Sequence, residues 1–318
     1  MTKFDVIVIG GGHAGVEAAT ASARRGAQTL LLTQSERDLG ALSCNPSIGG
    51  PGKSQMVSEI DAMGGVMPRA ADVAGIHFRT LNASHGAATR ALRAQIDRKM
   101  YHNAVVKILS EQPNLTIQFD KVVSLDLQNK IVNGTYSARA IVLTTGTFLG
   151  GLVTRGNEKI ASGRMQDDGT YQDNDTVISG VLRENGFQIL RLKTGTPARI
   201  YRDSIDFSVC ELQPGDNPHD WFSRPNTDNN FSSVCYITHT TEKTHQIIRD
   251  NIANAPMYNG DIHGTGPRYC PSLEDKVMRF PDHASHHVFL EPEGLDSDLI
   301  YPNGISTSFG ADVQDAWI

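Results

Sequence analysis

Apolar residues dominate positions 4–9, three glycines follow, and small residues then continue to about position 25. The pattern predicts a buried strand, a tight turn and a helix over 13–25. Gly10 permits the turn, Gly12 lets the backbone approach a pyrophosphate, and Gly15 lets helix and strand pack closely. Such a helix directs free N–H groups and its positive end at a phosphate. The pattern therefore predicts a dinucleotide-binding unit.

Two further apolar stretches extend this unit. A second strand at 28–33 follows Gly26, which ends the helix as a βαβ unit requires. A third strand at 138–146, reached after a long excursion, ends in a Thr-Gly turn. This arrangement is typical of flavoproteins of the glutathione-reductase type and favours FAD over NAD. The first acidic residue after the second strand is Glu36, so the pattern leaves the ribose-binding residue unassigned.

Other segments give weaker predictions. Residues 90–108 carry arginines at helical spacing, and we predict a helix there. Proline and glycine in 43–54 predict an irregular active-site loop. From position 199 proline, aspartate and asparagine accumulate before a strand at 234–238 and a helix at 241–252. We interpret this change of composition as a smaller inserted domain.

Composition narrows the function classes. The chain has 318 residues, 39% of them hydrophobic and 20% charged, as in a two-domain globular protein. Its net charge of −6 argues against an extended basic surface for nucleic acid. No apolar run is long enough for a bilayer and no signal-peptide pattern occurs, so we expect a cytoplasmic protein with no membrane attachment. The Gly-Pro-Gly-Lys-Ser segment at 50–54 resembles the end of a P-loop, but Ser47 stands where that pattern needs its first glycine, which argues against an ATPase.

The four cysteines are far apart, with no C-x-x-C pair and no zinc spacing, so we predict free thiols and no metal site. Cys44 and Cys270 each lie in a stiff turn that contains proline. If Asn45 caps a helical turn, Cys44 lies at a positive helix end, and Arg268 would favour a thiolate at Cys270. The alternative is that both are small buried hydrophobes.

Nine motifs, in order along the chain, resemble the MnmG (GidA) family. They are Ile-Gly-Gly-Gly-His-Ala-Gly (9–15), Ser-Cys-Asn-Pro-Ser-Ile-Gly-Gly (43–50), Leu-Asn-Ala (81–83), Arg-Ala-Gln (93–95), Leu-Lys-Thr-Gly-Thr-Pro (192–197), Cys-Tyr-Ile-Thr-His-Thr (235–240), Gly-Pro-Arg-Tyr-Cys-Pro (266–271), Leu-Glu-Pro-Glu-Gly (290–294) and Tyr-Pro-Asn-Gly-Ile-Ser-Thr-Ser (301–308).

The resemblance implies an α/β fold, in which a Rossmann-like FAD-binding domain of the glutathione-reductase type carries an inserted, smaller α/β NAD-binding domain. The boundaries that we predict are 1–198 for the first part of the FAD domain, 199–280 for the insertion and 281–318 for a truncated return to the FAD domain. Members of the family continue considerably farther and complete the FAD domain. We therefore expect weak binding of FAD and tRNA by this chain alone.

The activity implied by the resemblance is modification of tRNA at C5 of the wobble uridine, U34. The family adds a carboxymethylaminomethyl or aminomethyl group together with the GTPase MnmE, using FAD, NADH and methylenetetrahydrofolate as the one-carbon donor. It forms a homodimer within a heterotetramer. Two alternatives are a non-catalytic remnant and an FAD-dependent thiol–disulfide oxidoreductase, and the lack of a C-x-x-C pair argues against the latter.

Site residues follow by motif. Cys44 and Cys270 would be the catalytic thiols, since a thiolate that adds to C6 of uracil makes C5 nucleophilic. The residues that would hold FAD are Gly10, Gly11, Gly12, His13, Ala14, Gly15, Val122, Thr145 and Gly146. Those that would contact the nicotinamide nucleotide are Gly266, Pro267, Arg268, Tyr269 and Lys276. Departures from the family are Pro51, the segment 85–88 and an acidic cluster at 172–175.

Overall fold

The structure of the protein is a computed structural model that describes residues 1–165, 170–174, 176–223, 232–262 and 271–318. Two compact units form within them. The first is drawn from 1–150, 174–186 and 215–233, and the second from 151–173, 187–214 and 234–318. The second unit thus contains residues on both sides of position 280. The assignment of 1–198 and 281–318 to an FAD domain, and of 199–280 to an inserted NAD domain, stays a prediction.

The strands of the described residues, in chain order, are β1 Thr2–Ile9, β2 Thr29–Thr33, β3 Ser47–Gly49, β4 Gly75–Leu81, β5 Ala91–Ile96, β6 Leu115–Phe119, β7 Leu125–Asp126, β8 Ile131–Val132, β9 Tyr136–Leu143, β10 Leu152–Arg155, β11 Glu158–Ala161, β12 Ile200–Tyr201, β13 Glu211–Pro214, β14 Val234–His239, β15 His287–Pro292 and β16 Leu299–Asn303.

The α-helices of the same residues are α1 His13–Arg24, α2 Ser54–Ala62, α3 Met67–Ala74, α4 Arg98–Ser110, α5 Val177–Glu184, α6 Glu242–Asn251, α7 Leu273–Arg279 and α8 Ala311–Trp317. The predicted first strand, first helix and second strand are confirmed within one or two residues, as are β14 and α6, and β9 is confirmed with its end three residues earlier than predicted. No helix among the described residues is long and apolar enough to cross a bilayer.

The first unit is built on a six-stranded sheet in the order β6-β2-β1-β9-β8-β7. The strands β6, β2, β1 and β9 are parallel to one another. Beyond β9, β8 and then β7 continue the sheet in antiparallel pairs. Val8 of β1 lies opposite Leu31 on one side and Val142 on the other. This is the α/β arrangement with a Rossmann-type parallel sheet that the sequence predicts.

Both faces of the parallel sheet are covered, which explains why its central strands are continuous apolar runs. Val8 and Leu31 pack on one face in a cluster that also contains residues of α1, α3 and α4. Ile7 and Ile9 point to the opposite face and pack in a cluster with Ile178 of α5. The alternation follows from the pleat, since successive side chains of a strand point to opposite faces.

A three-stranded antiparallel sheet, β3-β5-β4, corrects two predictions for the first unit. Residues 91–96 form strand β5 and not the start of a helix, and the helix begins only after Asp97, whose side chain accepts from the backbone N–H of Met100 at 2.8 Å. The loop at 43–54 contains strand β3, which pairs with β5. The prediction of a helix over 90–108 is therefore wrong for 91–96 and confirmed from Arg98 onwards, and the prediction of a fully irregular loop at 43–54 is wrong.

The second unit is built on a five-stranded antiparallel sheet in the order β12-β16-β15-β14-β13, with the separate hairpin β10-β11. Tyr236 of β14 lies opposite Leu290 of β15, so strands from before and after residue 280 share one sheet. Its core contains residues of that sheet together with Ile248 of α6 and Leu273 and Val277 of α7. Thr241 caps α6 through a side-chain oxygen that accepts from the backbone N–H of Thr244.

Candidate functional site

The glycine turn after β1 is shaped by close backbone contacts. Gly10 has φ of +107°, which L side chains rarely adopt, and its N–H donates to the Leu32 carbonyl at 2.9 Å. A Cβ on Gly15 would lie 1.7 Å from the Gly10 carbonyl oxygen, and one on Gly11 would lie 2.8 Å from Thr33 Oγ1. Each of these positions therefore needs glycine for the turn itself.

Gly12 differs from its neighbours because nothing in the protein requires glycine there. Its φ of −67° suits any residue, and a Cβ on it would meet no atom within 4 Å. A glycine that opens onto free space at such a turn lets the backbone approach a ligand. Gly12 therefore marks the surface of the turn that is available to a bound group.

Free N–H groups lie beside this opening. Gly12 is the N-cap of α1 and offers no side chain to the helix end. Among the described residues, the backbone N–H groups of His13, Ala14 and Gly15 have no hydrogen-bond acceptor. Three free donors and the positive end of a helix form an anion-binding site. The turn and the start of α1 can thus hold a pyrophosphate.

The position of this site in the sheet supports the same assignment. The chain passes from β1 to β2 on one side, whereas β9 lies on the other side of β1. In an open parallel sheet, ligands bind where the strand order reverses, at the carboxyl ends of the strands. Thr144, directly after β9, donates from Oγ1 to the carbonyl oxygens of Ile9 at 2.9 Å and Gly10 at 3.0 Å. Thr144 was missed by sequence reasoning, since a threonine after a strand carries no distinct signal.

His13 stands at the start of α1 with a neutral ring. Burial lowers the pKa of His13 to about 4, so the imidazole is uncharged at pH 7. Its ring centroid is 5.7 Å from that of Tyr101, and its Nε2 atom is buried without a partner among the described residues. A neutral histidine adds no charge of its own to the phosphate-binding turn.

The other predicted FAD residues of the first unit differ in their exposure to solvent. Val122 is buried in the apolar cluster that contains Ile9 and Leu32. Thr145 and Gly146 follow Thr144, with Gly146 exposed and φ of +65°. At the end of β2, Asp38 is engaged by the N–H of Ser35 at 2.9 Å. None of these contacts assigns a ribose-binding residue.

Cys44 is exposed and lies on a loop tied to the glycine turn. The Gly40 N–H donates to the Gly11 carbonyl at 2.9 Å, and Cys44 follows four residues later, at most about 14 Å of chain away. Arg98, the first residue of α4, donates from Nη2 to the Cys44 carbonyl oxygen. The predicted helical cap at Asn45 is wrong, because residues 47–49 form β3 instead. The thiol is nevertheless accessible for chemistry.

The remaining thiols of the described residues differ in access. Cys235 is fully buried in β14, and Cys210 is half-buried. Cys270 lies outside the described residues, as do Gly266, Pro267, Arg268 and Tyr269, so their assignments stay predictions. The same holds for part of the acidic cluster at 172–175, since 175 is outside the described residues.

Lys276 of α7 lies at a cavity of about 570 Å³ within the second unit. Its Nζ donates to the Gly304 carbonyl at 2.6 Å. The cavity is lined by polar and aromatic side chains, among them His283, His286, His287 and Tyr301. Burial, the largest cause, and neighbouring cationic groups lower the pKa of His286. A cavity of this size with one cationic side chain can accept an anionic organic ligand.

The fold is of the Rossmann type, and its glycine turn is a candidate site for a dinucleotide. Residues 5–318 match the profile of the family described as Glucose inhibited division protein A. The chain is also similar to GidA of Aquifex aeolicus in two crystal forms. In form I the identity is 45% with a TM-score of 0.89, and the match covers 98% of this chain and 54% of that one.

In form II the identity is 43% with a TM-score of 0.87, and the match covers 98% of this chain and 51% of that one. The chain therefore belongs to the GidA family, as the sequence motifs indicate. It spans about half the length of the two GidA chains that it matches.

Proposed function

We propose that this chain binds FAD in its first unit and supplies a thiol for the modification of tRNA. The observation that carries the cofactor assignment is the opening at Gly12 beside the three free N–H groups of α1. Family membership supports the same cofactor. The residues that would hold the pyrophosphate are the turn at 10–12 and the backbone of His13, Ala14 and Gly15. When bound, FAD supplies two-electron redox chemistry next to the substrate.

The exposed thiol supports the choice of substrate reaction. In the proposed step, Cys44 Sγ, as thiolate, forms a bond to C6 of a uracil ring. The electron pair of the C5–C6 double bond moves towards O4. C5 of the resulting enolate then attacks the methylene carbon of the iminium form of the one-carbon donor, and the C=N π pair moves to the nitrogen of that donor. A proton is later removed from C5 and the Sγ–C6 bond breaks, which restores the ring. Cys270 is proposed as the second thiol, and either cysteine can serve as the attacking group.

The remaining parts of the proposal rest on family membership. We propose that the modified base is U34 of tRNA, that methylenetetrahydrofolate donates the carbon, and that the GTPase MnmE is the partner. The active form would be a homodimer within a heterotetramer in the cytoplasm. NADH would serve as the reductant and bind in the second unit. The cavity beside Lys276 supports this placement, because a cationic side chain there suits a nucleotide phosphate.

A matched pair of glycine variants tests the cofactor assignment. In Gly12→Ala the new methyl group meets no protein atom within 4 Å, so the fold should keep its stability while FAD affinity falls. Gly86→Ala is the control, since Gly86 also has extended backbone and open space around it. FAD fluorescence titration of wild type and both variants provides the measurement. Equal FAD affinity in all three proteins would contradict the site.

The substrate assignment is tested by nucleoside analysis. The chain is expressed, alone and joined to the remainder of a GidA protein, in cells that lack their own GidA, and U34 is analysed by mass spectrometry. Modified U34 in cells with the joined protein, lost in Cys44→Ser, is the expected result. Modification that persists in Cys44→Ser would contradict the role of this thiol.

A further inference from the structure

The sheet β3-β5-β4 has one apolar and one polar face. Ile48, Ala94 and Phe78 lie opposite one another across the three strands and belong to the core of the first unit. The residues on either side of Ala94 point to the other face, because side chains alternate along a strand. These are Arg93 and Gln95, so the face turned away from the core is polar.

Two arginines lie directly opposite each other on this polar face. Arg79 of β4 pairs in register with Arg93 of β5, and both side chains are half-buried. Directly opposed like charges destabilise a sheet. No hydrogen bond or ion pair joins the side chain of Arg79 to any other described residue. The guanidinium of Arg79 is thus a half-buried cation, in register with a second arginine, in a chain whose net charge is −6.

The arginine pair is connected to the loop of the exposed thiol. Arg93 Nη2 donates to Gln95 Oε1 at 3.4 Å, and Gln95 Nε2 donates to Asn45 Oδ1 at 3.3 Å. Asn45 is the neighbour of Cys44, and Gln95 is fully buried. Hydrogen-bonded side chains therefore lead from Arg93, through Gln95, to the residue next to Cys44.

We propose that Arg79 and Arg93 bind a phosphate of the nucleic-acid substrate and so place a nucleotide beside Cys44. The proposal rests on the proposed function, since it takes RNA as the substrate. Arginine suits this role because its planar group binds two phosphate oxygens at once. A phosphate beside Arg79 would also give its guanidinium a charged acceptor, which no other described residue supplies. A pyrophosphate of a bound cofactor has the same chemistry, and the experiment separates the two sources.

The test compares wild type with Arg79→Gln, Arg93→Gln and the double variant. Binding of an unmodified anticodon stem–loop RNA is measured by filter binding over a salt series that starts at low salt. Each arginine lost should weaken binding about tenfold, the typical value of one charge-assisted contact. The double variant should also lower the slope of log K against log salt by about 1 to 2, since fewer counterions are released. Arg79→Lys should bind better than Arg79→Gln.

Arg139→Gln is the matched control, because Arg139 is highly exposed in the same unit and lies on β9, away from this sheet. It should leave the affinity for RNA unchanged. FAD titration of the double variant should match wild type. Thermal unfolding followed by circular dichroism checks the fold, and Arg79→Gln should unfold at a higher temperature than wild type because one of two opposed charges is gone.

Three results would overturn the proposal. One is equal RNA affinity in wild type and the double variant. Another is a loss of FAD affinity in the double variant with RNA binding intact, which would assign the arginines to the cofactor. The third is a lack of RNA binding by the wild type at low salt. FAD binding by the wild type is measured separately, so failure of the arginine pair is distinguished from failure of the proposed cofactor site.

Discussion

Thr144 joins the end of β9 to the glycine turn after β1 through one hydroxyl group. Its Oγ1 lies 2.9 Å from the Ile9 carbonyl oxygen and 3.0 Å from that of Gly10. Its backbone N–H also donates to Ile9, at 2.9 Å. Movement of Gly10 away from β9 would break these contacts, so Thr144 helps to hold the turn that precedes α1.

We predict that Thr144→Val destabilises the first unit by about 1 to 2 kcal/mol, because the carbonyl groups of Ile9 and Gly10 lose the hydroxyl that donates to them. FAD affinity should fall in parallel, as the turn becomes less ordered. Thr144→Ser should retain most of both properties, since the hydroxyl remains. Urea unfolding and FAD titration measure the two effects. Thr135→Val is the control, because Thr135 makes one exposed contact of 3.1 Å to Asn133 in a turn.

A second prediction concerns the contact between α1 and β1. Gly15→Ala would place a methyl group 1.7 Å from the Gly10 carbonyl oxygen, so helix and turn must separate. We expect a loss of about 3 kcal/mol or more in unfolding free energy, at or above the usual cost of overpacking. Gly180→Ala in α5 meets no atom within 4 Å and should be neutral or stabilising. Similar melting temperatures for both variants would contradict the close contact.

The first βαβ unit could be predicted from sequence because its information is local. The apolar runs are continuous where both sheet faces are buried, and Gly10 and Gly15 stand where backbone contacts demand them. The motifs of the family then supplied the fold of the whole chain. What local patterns cannot supply is pairing between distant residues, such as the hydroxyl of Thr144 on Gly10.

Strand β5 shows where helical spacing misleads. Arginines at 90, 93 and 98 fit one helix face, yet Leu92, Ala94 and Ile96 alternate with polar residues, which is the period of a strand. Pairing of β5 with β3 and β4 decides between the two patterns. In sequence, β3 ends more than forty residues before β5, and β4 ends ten residues before it. The opposition of Arg79 and Arg93 depends on that same register, so the sequence alone could not predict it.

The third prediction concerns acid dependence of stability at Asp72, a fully buried carboxyl that accepts the N–H groups of Phe222 at 2.9 Å and Ser223 at 2.7 Å. Burial raises the pKa of Asp72 from 3.8 to about 6, although these two hydrogen bonds act in the opposite direction. The folded state therefore holds a proton that the unfolded chain releases. Stability from this group is complete below pH 4 and is lost as the pH rises through about 6.

We expect wild type to lose up to about 3 kcal/mol relative to Asp72→Asn between pH 4 and pH 7, which follows from a shift of about two pK units. The variant carries a constant penalty for its altered hydrogen bonds, and only the difference in pH dependence is informative. Urea unfolding at a series of pH values supplies it. Parallel stability curves for the two proteins would show that Asp72 is already ionised in this range.

The last prediction concerns the thiols. Cys44 is exposed, whereas Cys235 is fully buried in β14, so alkylation should separate them. In the folded chain, iodoacetamide should modify Cys44 and leave Cys235 unmodified until urea unfolds the protein, because reaction requires access to the sulfur atom. Peptide mass mapping assigns each site, with half-buried Cys210 expected to react at an intermediate rate.

Activity provides the second half of this test. In a GidA protein that carries this sequence, Cys44→Ser should abolish modification of U34, since a hydroxyl is a far weaker nucleophile than a thiolate. Cys210→Ser should retain modification, because the proposed reaction uses no thiol at that position. Alkylation of Cys44 before the assay should have the same effect as its substitution. Full activity after either treatment would exclude Cys44 as a catalytic residue, and the accessible thiol would then be only a surface cysteine on the loop before β3.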